Sequence, residues 1–402
     1  MFDLSLNKPS MTVSHRRARA SGRAGRYVPQ DGGFDAFHPA PYPPTDLTLD
    51  RRLLDLLSTA DHELGRLVGA SEILPNPDLF VRMYVRREAV MSSQIEGTQA
   101  SLMDVLEYEA MRARGEHGVD VREVSNYVAA LRYGLRRVTS LPLSLRLLRE
   151  IHARLMRDVR GGEPAKTPGE FRRSQNWVAG PSPATARYVP PPVAEMTWAL
   201  GQFERALHDR PPYPLLINLG LAHAQFETIH PFLDGNGRIG RLLVTFLLCE
   251  YGVLKEPLLY LSIFFKEHRE DYYERLQAIR DEGDWEGWLA FFLEGVATVA
   301  HEATDTARTI VRLREELRNS LPPQLGRRSG NGLALLDKLF LHPIVAVKTV
   351  EKLLELSQPA ALALVDALVG AGVLREVTGR RRNRMFEFRR YMALFAERGR
   401  RE

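Results

Sequence analysis

A single cysteine, Cys249, stands in a chain of 402 residues. One thiol excludes an internal disulfide framework and any zinc site built on cysteine pairs. Membrane-spanning runs are scarce too: the strongly apolar stretch Leu242 to Leu254 is broken by Glu250 and falls short of the roughly 20 residues that a bilayer needs. It reads as a buried core helix carrying an inert thiol. The amino-terminal segment has no continuous apolar region of the signal-peptide kind, so the expected compartment is the cytoplasm and no membrane partner is expected. Charge of one sign is in short supply as well. The formal net charge is only +5, and arginine greatly outnumbers lysine, which base composition explains as readily as function. Net charge therefore gives no argument for nucleic acid. What is present is 44% hydrophobic content in a chain long enough for two or three domains with real cores.

The densest chemistry lies between Ile229 and Leu242, where the chain reads His-Pro-Phe-Leu-Asp-Gly-Asn-Gly-Arg-Ile-Gly-Arg. His230 is a candidate general base, since a free imidazole has a pKa near about 6.5. Asp234 offers hard carboxylate oxygens suited to Mg²⁺ arriving with a nucleotide. Gly235, Asn236 and Gly237 let successive N–H groups converge, and a helix starting near Arg238 adds its positive end at the same point. Arg238 and Arg241, three apart, leave one side of that helix and can clamp phosphate charge.

This stretch resembles the signature of the Fic family, His-x-Phe-x-Asp/Glu-Gly-Asn-Gly-Arg-x-x-Arg, with every defined position filled. The resemblance implies transfer of AMP from ATP to a protein hydroxyl, with loss of pyrophosphate. His230 is then the base and Asp234 the metal ligand. Gly235, Asn236, Gly237, Arg238, Ile239, Gly240 and Arg241 form the nucleotide site, with Arg241 on the terminal phosphate and Phe232 as an apolar anchor. Tyr272 and Tyr273, in the next helix, are candidate adenine contacts by the same resemblance, although a core role suits either equally. Trp285 and Trp288 read as core. His223, two turns before His230, reads as structural and not as a metal partner.

Upstream, Ser92-Ser93-Gln94-Ile95-Glu96-Gly97 closes a helical run from Asp78, with Gly97 as its stop. It is similar to the inhibitory motif of Fic proteins, Ser/Thr-x-x-x-Glu-Gly/Asn. The implication is that Ser92 and Glu96 engage Arg241 and deny it to the γ-phosphate. Between Phe171 and Pro192, two short extended runs separated by Gly and Pro predict a hairpin. Its neighbourhood resembles the Fic flap, so Asn176, Trp177 and Val178 are expected to align target backbone by strand addition.

The expected fold is mainly α: a Fic-type helical core with a short β-hairpin flap and a winged helix-turn-helix-like domain at the carboxy terminus. Four regions follow. Residues 1–45, rich in Arg, Gly and Pro, are expected to be an extended or disordered arm. Residues 46–140 form a helical region with the inhibitory helix, and 141–315 the catalytic core, with Ser144 as an N-cap. After a linker at Pro322, Pro323 and Gly326 to Gly332, residues 330–402 form the last domain, with Ser357 as the N-cap of its third helix. Two strands with a basic tip, Arg380, Arg381, Arg382 and Arg384, could meet DNA phosphates, but the helix before them has few base-reading side chains. The expected cofactors are ATP, as substrate, and Mg²⁺. The expected partner is a target protein with a Ser, Thr or Tyr hydroxyl. Self-modification, a homodimer and DNA remain open. So do other readings of the scaffold: transfer of UMP, phosphocholine or a γ-phosphate, removal of AMP with Glu96 positioning water, or a DNA-binding regulator with a nucleotide-sensing core.

Overall fold

The computed structural model describes residues 22–72, 78–111, 118–209, 212–379 and 384–396. Two helices set the frame. Helix α1 (Arg51–Glu72) buries Leu53, Leu57, Ala60, Leu64, Leu67 and Ala70, a spacing of three and four that makes one apolar face. That face lies along a helix of 41 residues, Trp285–Leu325. Between them in sequence come α2 (Asp78–Ile95), α3 (Leu102–Met111), α4 (Val119–Val138), α5 (Leu145–Leu155), α6 (Val193–His208), α7 (Leu215–Ile229), α8 (Asn236–Glu250), α9 (Ser262–Glu267) and α10 (Arg269–Glu282), with the long helix as α11. Helix α7 is buried on nearly every side from Leu216 to Ile229, which makes it the central rod of the core. Helices α4, α6, α10 and α11 surround the α7–α8 pair. Ser144 caps α5 by accepting from Leu147 N–H at 3.4 Å, and Gly97 ends α2 with φ at 98°.

Several expectations need correction. Residues 22–45 are not an arm: β1 (Gly25–Gln30) and β2 (Phe34–Pro39) form an antiparallel hairpin. Phe37 is fully buried and its N–H donates to Val189 O at 2.9 Å, while Tyr27 OH donates to Asp281 at 2.9 Å. Burial of these rings outweighs the polar composition that argued for an arm. Residues 1–21 of the expected arm lie outside the described residues. The expected linker is also helical, because α11 runs through Pro322 and Pro323, held by the buried stripe Leu313, Leu317, Leu321 and Leu325. The flap hairpin is reduced to one antiparallel bridge, Val178 with Tyr188.

The last domain comprises α12 (Ser329–Leu339), β3 (Ile344–Ala346), α13 (Val347–Leu354), α14 (Gln358–Gly370), β4 (Leu374–Glu376) and β5 (Met385–Phe388). Its antiparallel sheet has the order β3-β5-β4, with Val345 opposite Phe386 and Arg375 opposite Glu387. Strand β3, only three residues long, carries too little alternation to be read from sequence. Ser357 occupies the N-cap position of α14 but makes no capping hydrogen bond. Arg384 faces Glu376 at 3.5 Å and Asp366 at 3.8 Å, so its charge is already partnered within the domain. Arg380, Arg381 and Arg382 lie outside the described residues. Among those residues, no single helix is long and apolar enough to cross a membrane.

Candidate active site

Helix α7 stops at His230, whose φ of 49° is left-handed and whose N–H closes the helix on Phe226 O at 2.9 Å. Pro231 follows and cannot extend a helix. The next helix starts six residues on, after Gly235 turns at φ 77°. The loop between them is pinned from several directions. Asn236 spends both ends of its amide on Phe232, accepting from its N–H and donating to its carbonyl, each at 2.8 Å. Its side chain therefore closes the loop and does not face a ligand. Asn176 donates to Phe232 O at 2.8 Å and to His230 O at 3.2 Å, so it too points into the loop and not toward a target chain. Trp177 is exposed and Val178 carries the bridge to Tyr188.

Two further supports escaped the sequence reading. Arg172, almost fully buried, donates to His230 O at 3.1 Å, Ser174 O at 3.2 Å and Pro191 O at 2.5 Å. Burial lowers its pKa to about 10, and it remains charged at neutral pH. His152 stacks on Phe232 with centroids 3.8 Å apart and planes 3° apart. Gly169 N–H donates to His152 Nδ1 at 2.8 Å, so the ring proton sits on Nε2 and is donated to Asp234 O at 3.0 Å. Neither residue belongs to a local motif, and only the fold reveals their partners.

The charged groups divide into those already held and those waiting. Arg241, buried, donates to Glu96 Oε1 at 2.6 Å, to Ser92 Oγ at 2.8 Å and to Ser92 O at 2.9 Å. Burial pushes the Glu96 carboxyl up, but the charge and hydrogen bond of Arg241 outweigh it and hold the carboxyl below its ordinary range. The Glu96 side chain is a third exposed, so this pair is dry on one side only. Arg238 is buried with Nε and Nη1 lacking hydrogen-bond partners, although Asp234 stands 3.6 Å from Nη2 and Glu123 4.0 Å from Nη1. Donors left without acceptors beside a helix N-terminus fit an incoming anion.

His230 Nδ1 is buried without a hydrogen-bond partner. Burial, then the positive charges of Arg280 and Arg172, lower its pKa to about 3, so the ring is neutral and able to accept a proton. Asp234 is about half exposed; one carboxylate oxygen accepts from Gly235 N–H at 2.6 Å. Among the described residues no cluster of three potential ligands surrounds it. One carboxylate fits a divalent ion shared with nucleotide phosphates and not an all-protein cage.

Other expected contacts fall elsewhere. Ile239 is fully buried in the core, and Gly240 turns its carbonyl to His223 Nδ1 at 2.8 Å. Neither is free to touch nucleotide by its side chain. Tyr272 is buried, accepts stacking from Phe265 at 4.5 Å and bonds His223 Nε2 at 2.9 Å; it is a core residue. Tyr273, half-buried at the margin of the Arg241–Glu96 pair, is the tyrosine left for a base. Trp285 and Trp288 are core, as read from the sequence.

Comparison with known proteins agrees with this geometry. The Fic/DOC family N-terminal model matches residues 54–136, the Fic/DOC family model residues 142–248, and an HTH DNA binding domain model residues 333–386. Proteins named Protein adenylyltransferase Fic are similar. The one from Aedes aegypti is 34% identical over 154 residues, 38% of this chain and 27% of the relative. The one from Drosophila yakuba is 31% identical over 257 residues, 61% of this chain and 47% of the relative. The chain thus spans about a quarter to a half of the length of these curated relatives. A crystal structure of a Fic family protein from Desulfovibrio desulfuricans G20 shares the fold, with a TM-score of 0.55 at 19% identity, covering 85% of this chain and 97% of that one. The two Fic/DOC models thus match neighbouring segments of the helical region, and the chain contains a Fic/DOC N-terminal region and a Fic/DOC domain.

Proposed function

We propose that this chain is a restrained protein adenylyltransferase. A Ser, Thr or Tyr hydroxyl of a target protein, or of the chain itself, attacks the α-phosphorus of ATP. The hydroxyl proton passes to His230 Nε2, the new O–P bond forms as the bond to the β-phosphate oxygen breaks, and pyrophosphate leaves with that electron pair. The N-terminal turn of α8 and Arg238 receive the phosphates, and Asp234 would hold Mg²⁺, which supplies charge neutralisation when bound. The observation that carries this reading is Arg238, buried with unpartnered donors at a helix start beside a neutral histidine. The names of the relatives support AMP as the transferred group.

Restraint comes from α2. Glu96 and Ser92 hold Arg241, so ATP that needs this guanidinium binds weakly or misaligned. The test is labelling with ATP traced at the α- and, separately, the γ-phosphate. Wild type should label slowly, Glu96→Gly at least about tenfold faster, and His230→Ala not at all. Label from the γ-position alone would make the chain a kinase, and silence in Glu96→Gly would reject adenylyl transfer. A second activity is favoured by the helix-turn-helix match at 333–386: binding of DNA by the last domain. Loss of a salt-sensitive mobility shift when that domain is deleted would support it, and no shift of the whole chain at low salt would reject it.

A further inference from the structure

Glu227 is a buried carboxylate in the site that neither the signature nor the inhibitory motif accounts for. It lies on the last turn of α7, is buried, and points its Oε2 to within 3.9 Å of His230 Nδ1. The histidine Nδ1 has no hydrogen-bond partner, and neither has Oε1, the other oxygen of the carboxylate. The fold makes room for it: a β-carbon at Gly240 would stand 2.3 Å from Glu227 Oε1. The backbone of Glu227 is fixed as well, because Arg280 Nη2 donates to its carbonyl at 3.2 Å. An otherwise costly buried carboxylate is thus kept beside the base by two separate elements.

Resting on the adenylyl-transfer reading, we infer that Glu227 is a positioning residue that holds the proton of His230 on Nδ1 and steadies the imidazolium once Nε2 has taken the hydroxyl proton. The resting separation is about 1 Å beyond a hydrogen bond, so a small rotation of either side chain closes it. No atom is exchanged between the two residues: the Nδ1–H stays on the ring, Glu227 accepts it as a hydrogen bond, and the second ring proton is the one removed from the attacking hydroxyl. The logic is that of an acid that orients a histidine without itself taking its proton. The charged and titratable groups around Glu227 include His230 at the end of α7, His223 one turn before Glu227, Tyr188, Arg241 on α8, Arg280, Tyr272 and Tyr273 on α10, and Glu96 on α2. Burial, opposed by Arg241, raises its pKa to about 7, so its charge near neutral pH responds to what binds beside it.

The experiment uses the whole chain carrying Glu96→Gly, into which Glu227→Gln and Glu227→Leu are placed. Glu227→Gln keeps the volume and an acceptor oxygen but removes the charge; Glu227→Leu removes both. The expected result is a fall in kcat of about tenfold for Glu227→Gln and about a hundredfold for Glu227→Leu, with KM for ATP changed less than about twofold. A melting curve verifies folding, and Glu227→Gln carries the test if Glu227→Leu does not fold. Imidazole ¹⁵N shifts provide a readout independent of turnover: the His230 proton should reside on Nδ1 in the parent and leave it in Glu227→Leu. Unchanged kcat with an unchanged tautomer overturns the inference. If the parent transfers no α-label, adenylyl transfer fails, and the ring shifts alone then decide whether Glu227 sets the tautomer.

Discussion

A β-carbon at Gly237 would lie 2.3 Å from Glu96 Oε1, so the Glu96 carboxylate rests against the first turn of α8. Glycine at 237 is what lets the carboxylate approach so closely. Under the proposed restraint, occupancy and capture would combine, since Glu96 stands at the helix start and holds Arg241 at 2.6 Å.

Ser92 should share that restraint. Its Oγ accepts from Arg241 Nε at 2.8 Å and its carbonyl from Nη2 at 2.9 Å. Ser92→Ala removes only the first contact, and a net hydrogen bond contributes about 1 kcal/mol, so α-label transfer should rise about fivefold, less than for Glu96→Gly. A rate equal to wild type would show that the hydroxyl does not retain Arg241.

Arg172 should govern the catalytic loop without touching substrate. Arg172→Met removes the guanidinium donor from the carbonyls of Ser174 and Pro191 and leaves His230 O to Asn176 alone. In the Glu96→Gly background kcat should drop about a hundredfold, the result expected when a base is displaced by roughly 1 Å. Retained turnover would mean that Asn176 suffices to fix the loop.

Three histidines should resist protonation. Burial lowers His152 and His223 to about 4 and His230 to about 3, from an ordinary value near about 6.5. An unfolded chain takes up these protons first, so their contribution to stability is complete above pH about 6.5 and is lost as pH falls toward the folded values. Glu227 acts in the opposite sense, adding stability at low pH that is lost as pH rises toward 7. Imidazole ¹⁵N titration should find all three rings neutral at pH 5.5; a ring charged there would contradict its buried geometry.

Helix α2 is also gripped from behind by the last domain. Phe395 meets Tyr84 of α2 edge to face at 5.6 Å, and α3 packs against β3. Phe395→Ala opens that contact, an aromatic pair contributing about 1 kcal/mol beyond its burial. Faster hydrogen exchange across residues 80–95 and a severalfold rise in basal labelling are expected. Unchanged exchange would separate the domain from the restraint.

Much of this was legible in sequence where the signal is local. The signature gave His230, Asp234 and Arg241, and apolar spacing gave most helices, since three- and four-residue periodicity directly records one buried face. Where a polar side chain turns was less legible. Asn236 and Asn176 carry ordinary ligand-binding chemistry, yet their amides close on Phe232. Tyr272 and Tyr273 are adjacent and identical, and helical geometry alone sends one to the core and the other to the margin. The amino-terminal hairpin was hidden by composition, because a few buried aromatics outweigh many polar neighbours.

Helix α11 has a consequence for how the protein can be divided. At 41 residues and about 1.5 Å per residue it is a rod of roughly 60 Å, with α1, α7 and α9 along its first part and α12 against its end. A cut at the prolines does not spare it, since Pro322 and Pro323 lie inside the rod and not beyond it. Helix α1 and α12 are thus bolted to one beam, and a fragment that shortens the beam exposes the leucines that hold it.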